Sequence, residues 1–309
     1  MIASIRISRA ASTGAVAILA IALSIGASRA QQAFSSPEDA AAGLVAAVKT
    51  GMTRAILKVL GRNAEDLVES GDSVADEETR KRFLSAYDAK HAIKAEGNKK
   101  ATLILGTDEF PFPIPLVNGR SGWEFNASAG RLEILYRRIG RNELDAIQTC
   151  LAFVDAQNEY AEKDRTGEGV SIYAQRIVSN PGKKDGLFWR DDRDPSPLGE
   201  LAAEASSEGY KVDGHGAPYH GYFFRILRGQ GPNAPGGALN YIVKSKMIGG
   251  FALIAYPAEY GNSGVMTFMV SHTGTVYQKD LGKRTDFLAK RIVLFDPDQT
   301  WKKVDTTEH

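Results

Sequence analysis

The chain has 309 residues, of which 38 are Lys or Arg and 37 are Asp or Glu, so its formal net charge is only +1. This balance excludes the strong positive field that nucleic-acid-binding proteins use against phosphates, and no nucleic acid is expected as a partner. The one cysteine, Cys150, excludes an internal disulfide, and its helical context predicts a small buried apolar side chain.

The N-terminus predicts export. Arg6 and Arg9 precede an uncharged run over residues 10–28, which ends at Ser28-Arg29-Ala30. This pattern is typical of a secretory signal peptide, residues 1–30, cut after Ala30. An uncleaved membrane anchor is the alternative, because the run approaches the ~20 residues that span a bilayer. We expect a periplasmic or secreted protein with no membrane span after cleavage, whose charge falls to −2 once three arginines leave the initial +1.

Residues 31–128 predict a small α+β module. Ser36-Pro37-Glu38-Asp39 is a capped helix start with proline in the first turn. Helices are predicted over 37–49, 56–60 and 73–90, and strands over 93–96, 101–105, 114–117 and 123–125, with a turn at 118–119. Alternate prolines in 110–115 favour an exposed sheet edge, and the alternative is a proline-rich ligand for a partner.

Residues 129–309 predict a second module, in which a long helix precedes an antiparallel sheet. Apolar spacing places the helix over 129–163, with an interruption at Gly140 where Asn142 caps a second piece. Strands are predicted over 222–227, 241–244, 251–256, 266–270 and 276–279, and residues 271–274 suit a hairpin loop with Gly274 in the left-handed position. The fold class is therefore α+β throughout, with N-terminal helices and a small sheet followed by the long helix and its sheet.

Several blocks resemble the bacterial secreted domain of unknown function 2950 family. They are residues 185–189, 195–199, 222–232, 235–237 and, most specifically, 249–282. The resemblance covers essentially the whole mature chain, and it implies an exported bacterial protein without an established activity. It supplies no catalytic residues. The second module also resembles the globular part of type IV pilins and pseudopilins, although in those proteins the apolar helix stands at the mature N-terminus.

Gly261-Asn262-Ser263-Gly264 invites a hydrolase interpretation. The stretch lacks the spacing of a nucleophile elbow and is closer to the Gly-Asp-Ser-Gly of chymotrypsin-like proteases, a mechanism that needs a histidine base. His215 or His220 is the candidate base for Ser263. The alternative is a structural serine in the loop that leads into the hairpin. The two histidines match no standard zinc spacing.

Residues 164–169 are the candidate metal loop. Asp164, Thr166 and Glu168 place oxygen atoms at alternate positions before Gly169, as in an EF-hand-like calcium loop. The twelfth residue, however, is Gln175 instead of a bidentate acid. A solvated turn after the helix is the alternative, and no other cofactor is expected.

These observations favour a non-catalytic envelope protein that binds another protein or a cell-wall component. The candidate contact residues are aromatic, namely Tyr219, Tyr222, Tyr256 and Tyr260. The alternative is a secreted hydrolase or a protein that binds calcium or another small ligand.

Overall fold

The computed structural model describes residues 31–165, 169–191, 193–213 and 216–305, and the predicted signal peptide lies outside these ranges. Within them the chain forms seven α-helices. These are α1 (Pro37–Lys49), α2 (Thr53–Leu60), α3 (Glu65–Val68), α4 (Ser73–Ala89), α5 (Ala127–Glu162), α6 (Gly199–Ser207) and α7 (Thr285–Arg291).

Two antiparallel sheets divide most of the strands between them. The strands are β1 (His91–Glu96), β2 (Lys100–Leu105), β3 (Phe110–Pro111), β4 (Leu116–Gly119), β5 (Gly122–Phe125), β6 (Tyr222–Leu227), β7 (Gly229–Gln230), β8 (Leu239–Asn240), β9 (Ile242–Val243), β10 (Lys246–Met247), β11 (Ala252–Pro257), β12 (Met266–Ser271), β13 (Val276–Asp280) and β14 (Lys302–Lys303). The first sheet has the order β1-β2-β4-β5, with β3 on β2, and the second has the order β14-β13-β12-β11-β6. The predicted α+β class is confirmed.

Local sequence signals set many of these boundaries. The Ser36 hydroxyl caps α1 by accepting the Asp39 N–H at 3.0 Å, as the sequence predicts. Gly274 adopts φ +76° in the loop between β12 and β13, which is the left-handed conformation expected there. The turn predicted at 118–119 lies two residues later, because Asn118 and Gly119 still pair with β5.

One predicted strand, 241–244, is wrong in detail. Tyr241 separates two short strands, and Lys244 and Ser245 form the turn of a β9–β10 hairpin with φ of +47° and +66°. Two successive residues with positive φ reverse the chain, so a straight strand cannot continue through them. The Tyr241 side chain is fully buried, and its hydroxyl donates to Gln230 Oε1 at 2.8 Å.

Helix α5 is continuous over 36 residues, without the interruption predicted at Gly140. Its first turns pack in the core of residues 31–128 through Ala127 and Leu135, and its later turns pack in the core of the second sheet through Phe153 and Tyr160. Packing at both ends offsets the ~1 kcal/mol that glycine costs inside a helix. The helix therefore joins the two cores, and the described residues from Gln31 onward belong to one compact unit.

No helix in the described part of the chain has both the length and the apolar character needed to cross a membrane.

Candidate functional site

Ser263 lies in a tight turn and is completely buried. Its hydroxyl accepts the Glu259 N–H at 2.9 Å and donates to the Glu259 carbonyl at 3.2 Å. The carbonyl of Ser263 accepts a hydrogen bond from Asn142 of α5 at 2.9 Å. Both hydroxyl bonds are made within its own turn, so the geometry gives Ser263 a structural task instead of an activated nucleophile.

The neighbouring Asn262 connects the second sheet to the first module. Its side-chain carbonyl accepts from Arg138 of α5, and its amide donates to the Glu69 carbonyl at 2.8 Å. The Arg138 guanidinium also donates to the carbonyls of Asp66 and Leu67, at 2.7 and 2.6 Å. The Gly-Asn-Ser-Gly stretch is thus a packing junction between β12, the long helix and the segment around α3.

His220 lies between two carboxylates. Its Nδ1 is 2.8 Å from Asp145 Oδ2, and its Nε2 is 2.8 Å from Glu208 Oε2. Burial lowers the pKa of the imidazole, but the hydrogen bonds to the two carboxylates outweigh burial and raise the pKa above its ordinary value. Because both ring nitrogens are occupied in this way, the structure does not join His220 to Ser263.

A buried aspartate fixes the backbone next to His220. Asp72 caps α4 with one oxygen, and its other oxygen accepts from the Tyr210 hydroxyl at 2.9 Å and from the Gly221 N–H at 2.8 Å. Gly221 has φ +75°, and a Cβ there would lie 2.6 Å from the Asn142 amide nitrogen. This corner therefore requires glycine, and Asp72 holds it against the first module.

The candidate calcium loop is only partly within the described residues. The Asp164 carboxylate accepts the Gly169 N–H at 2.6 Å, which closes the turn after α5. Thr166 and Glu168 lie outside the described residues, as does His215. Among the described residues there is no group of three or more acidic, His or Cys side chains placed to hold a metal. Calcium binding at this loop stays a prediction.

The four candidate contact tyrosines have different environments. Tyr222 is fully buried, with its hydroxyl donating to the Met266 carbonyl at 2.9 Å, and Tyr256 packs against Phe223 in the sheet. Burial raises the pKa of Tyr222 strongly. Tyr260 is half-buried and bonds Asp280 at 3.2 Å. Tyr219 differs from the others because it lines a cavity.

That cavity has a volume of about 680 Å³ and lies beside β6. Apolar side chains from five parts of the chain form its walls, and they include Phe153 of α5, Phe188, Ala202 of α6, Phe224 of β6 and Val293 after α7. Ligand sites are typically apolar hollows of ~300–1,000 Å³ with a few convergent polar groups. In size and lining, the cavity is the best candidate functional site among the described residues.

Charged residues of the cavity are mainly basic. The basic residues are Arg176, Lys211, Arg225 and Arg228, and the lining contains one acidic residue, Asp213. Arg225 is occupied, since it donates to the carbonyls of Ala289 and Ile292 at the end of α7, at 2.9 and 2.6 Å. A smaller cavity of about 310 Å³ adjoins at one end and is lined by Gln175, Arg176, Asp185 and Arg228. The site therefore combines an apolar body with a polar, basic end.

Sequence reasoning missed this cavity, apart from Tyr219. Its walls come from segments that are distant along the chain, and apolar residues that face a cavity have the same spacing as residues that fill a core. One available signal was the glycine- and proline-rich stretch around 181–199, because irregular segments with aromatic residues, such as Phe188, often border binding sites.

Residues 31–304 match the family described as protein of unknown function, DUF2950. The chain belongs to this family. No curated protein and no solved structure matches the chain, so the likeness to pilins stays a prediction. The description of this family names no activity.

Proposed function

We propose that this DUF2950 protein is a non-catalytic, exported binding protein that holds a largely apolar ligand in the cavity beside β6. The observation that carries the proposal is the cavity itself, with its volume of about 680 Å³, its apolar walls and its basic end. The ligand is part of an envelope protein or of a cell-wall component, because these are the partners that an exported protein meets.

Two of the three side chains that were candidates for hydrolysis have structural partners, and the third, His215, lies outside the described residues. Ser263 is engaged within its own turn, and His220 is held between Asp145 and Glu208. A serine nucleophile needs a base within hydrogen-bonding reach. Among the described residues, these two side chains make no such pair.

Export rests on the signal-peptide pattern of residues 1–30. The family match covers residues 31–304 and so lies wholly after the predicted cut. Mass spectrometry of the mature N-terminus should give Gln31. A chain that keeps its first 30 residues in the membrane fraction would instead indicate an anchor.

Ligand binding is tested with N-phenylnaphthylamine, a neutral apolar dye that fluoresces when it leaves water. We expect the purified protein to bind one dye molecule in the cavity. Ala202→Leu puts a larger side chain into the wall, and the lost space should reduce dye affinity about tenfold or more. A tenfold change corresponds to ~1.4 kcal/mol of binding free energy.

The matched control is Ala203→Leu, which makes the same change on the exposed side of α6. It should leave dye binding unchanged. Ala205→Leu, which also enters the cavity, provides a second blocking variant. Absence of dye binding, or equal binding by the Ala202 and Ala203 variants with unaltered circular dichroism, would refute the proposed function.

A further inference from the structure

Strand β6 lies at the edge of the second sheet, and its pairing with β11 determines which of its backbone groups point away from the sheet. Ala258 N–H donates to the Gly221 carbonyl at 2.9 Å, directly before the paired stretch. In an antiparallel pair, alternate residues bond the partner strand. The backbone N–H and C=O groups of Phe223, Arg225 and Leu227 therefore point toward β11. The same groups of Tyr222, Phe224 and Ile226 point away from the sheet.

The outward side of β6 is occupied at both ends and open in the middle. Tyr219 exchanges two hydrogen bonds with Tyr222, of 2.8 and 3.0 Å, and Tyr241 N–H donates to the Arg228 carbonyl at 3.1 Å. Within the described part of the chain, no hydrogen bond reaches the outward N–H and C=O groups of Phe224 and Ile226. Two backbone N–H donors and two backbone C=O acceptors are thus left along the outer side of β6.

This gap in the ladder opens into the cavity. Phe223, Phe224, Arg225 and Ile226 all line it, as expected when a strand presents its edge. The Arg225 side chain of β6 reaches the carbonyls of Ala289 and Ile292 near α7, so α7 lies against the sheet face that carries the odd-numbered side chains of β6. The cavity walls include Val293 beyond α7 and also Phe153 of α5. Since side chains of a strand alternate between faces, an added strand would find apolar surface for both sets.

The basic end of the cavity lies where β6 ends. Arg228 directly follows the strand, and Arg176 lies beside it in the adjoining smaller cavity. Both side chains are exposed. The one carboxylate that lines the smaller cavity with them, Asp185, accepts hydrogen bonds from the Asn180 backbone N–H and side-chain amide, at 2.8 and 2.6 Å. Paired guanidinium groups favour a carboxylate, which they bind with charge-assisted hydrogen bonds.

We propose that the ligand is an extended peptide segment that adds to β6 as a sixth strand of the sheet. Its backbone pairs with Phe224 and Ile226, its apolar side chains enter the cavity, and an acidic residue lies against Arg176 and Arg228. About three residues fit opposite the gap, at ~3.3 Å per residue. This inference rests on the proposed function, because it names the ligand of the same cavity.

The probe is a pool of capped pentapeptides with Glu at either end and Val, Leu, Phe or Tyr elsewhere, which covers both strand directions. Retained peptides are identified by ultrafiltration and mass spectrometry, and the tightest is tested for displacement of N-phenylnaphthylamine. It is then resynthesised with one N-methyl group at each position. Strand addition makes alternate N–H groups essential.

We expect an alternating pattern, in which methylation weakens binding about tenfold or more at the positions that pair with β6 and has little effect at the positions between them. Arg228→Gln and Arg176→Gln should weaken binding of the Glu peptide and leave its Gln analogue unaffected. Arg120→Gln, in the exposed β4–β5 turn, is the matched control and should change neither.

The outcomes separate the two proposals. If the dye binds in the cavity but no peptide of the pool is retained at 100-fold excess over protein, or if methylation has no alternating effect, the added strand is refuted while the binding function stands and a small organic ligand is indicated. If the dye itself fails to bind, both proposals fail together.

Discussion

Replacing Asp72 by Ala should destabilise the whole compact unit, because this one carboxylate holds α4 and the corner before β6 together. Asp72 is only 1% exposed. Its Oδ1 accepts the N–H groups of Val74 and Ala75, both at 3.1 Å, and its Oδ2 accepts from Tyr210 and Gly221. The substitution removes four hydrogen bonds and leaves two donors from the second module without an acceptor.

The expected cost follows from these contacts. Loss of an N-cap costs ~1 kcal/mol, and each buried donor left without a partner costs ~1–2 kcal/mol. Asp72→Ala should therefore lower the free energy of unfolding by about 3–5 kcal/mol, a large share of the 5–15 kcal/mol typical of folded proteins. Asp72→Ser retains a capping oxygen, so it should recover about 1 kcal/mol of that loss.

Urea denaturation followed by circular dichroism measures these differences. A double-mutant cycle with Tyr210→Phe isolates the bond between the two side chains, and we expect a coupling free energy of ~1–2 kcal/mol. A cost below about 1 kcal/mol for Asp72→Ala would refute the reasoning. So would an absence of coupling to Tyr210, since the two side chains would then act independently.

Three further results are expected. His220→Asn, which keeps a residue that tolerates the observed φ of +47°, should lower the melting temperature by more at pH 5.5 than at pH 8.5. Burial lowers the pKa of His220, but its hydrogen bonds to two carboxylates outweigh burial, so the folded-state pKa is raised. The stabilisation is therefore full below the unfolded-state pKa of ~6.5 and is lost as the pH rises through the folded-state pKa. An equal loss at both pH values would contradict this. Gly264→Ala places a Cβ against the buried Tyr222 hydroxyl and should cost about 2–3 kcal/mol, whereas Gly140→Ala, with no atom within 4 Å, should be neutral or stabilising; equal effects would argue against the clash. Burial raises the pKa of Cys150 to about 12, so a disulfide reagent should modify it only at the rate of unfolding, and rapid labelling of the native protein would show an opening that the structure lacks.

Local signals predict much of this fold. The Ser36 cap, the left-handed Gly274 and the apolar periodicity of the helices depend on residues within a few positions of each other. Such features are visible in the sequence because the interactions that fix them are themselves local. The α+β class follows from the order of these elements.

Tertiary contacts decide what local signals leave open. Asn142 is a good helix cap, and after Gly140 it predicts a break, yet α5 runs through both residues. The Asn142 amide instead bonds the Ser263 carbonyl, 121 residues away. Local propensity for a cap is worth ~1 kcal/mol, which a buried long-range hydrogen bond and packing on two cores outweigh.

The same argument explains why the cavity was not predicted while its strand was. Residues 222–227 are predicted as a strand from composition alone, but only the tertiary fold shows that β11 covers one side and that Tyr219 and Tyr241 close the other side at its ends. The outward groups of Phe224 and Ile226 belong to the backbone, which every sequence shares. A site formed by backbone edges therefore leaves no motif, and strand addition is a function that sequence comparison within DUF2950 is poorly suited to detect. Methylating the peptide N–H groups one at a time tests the pairing with those backbone atoms directly.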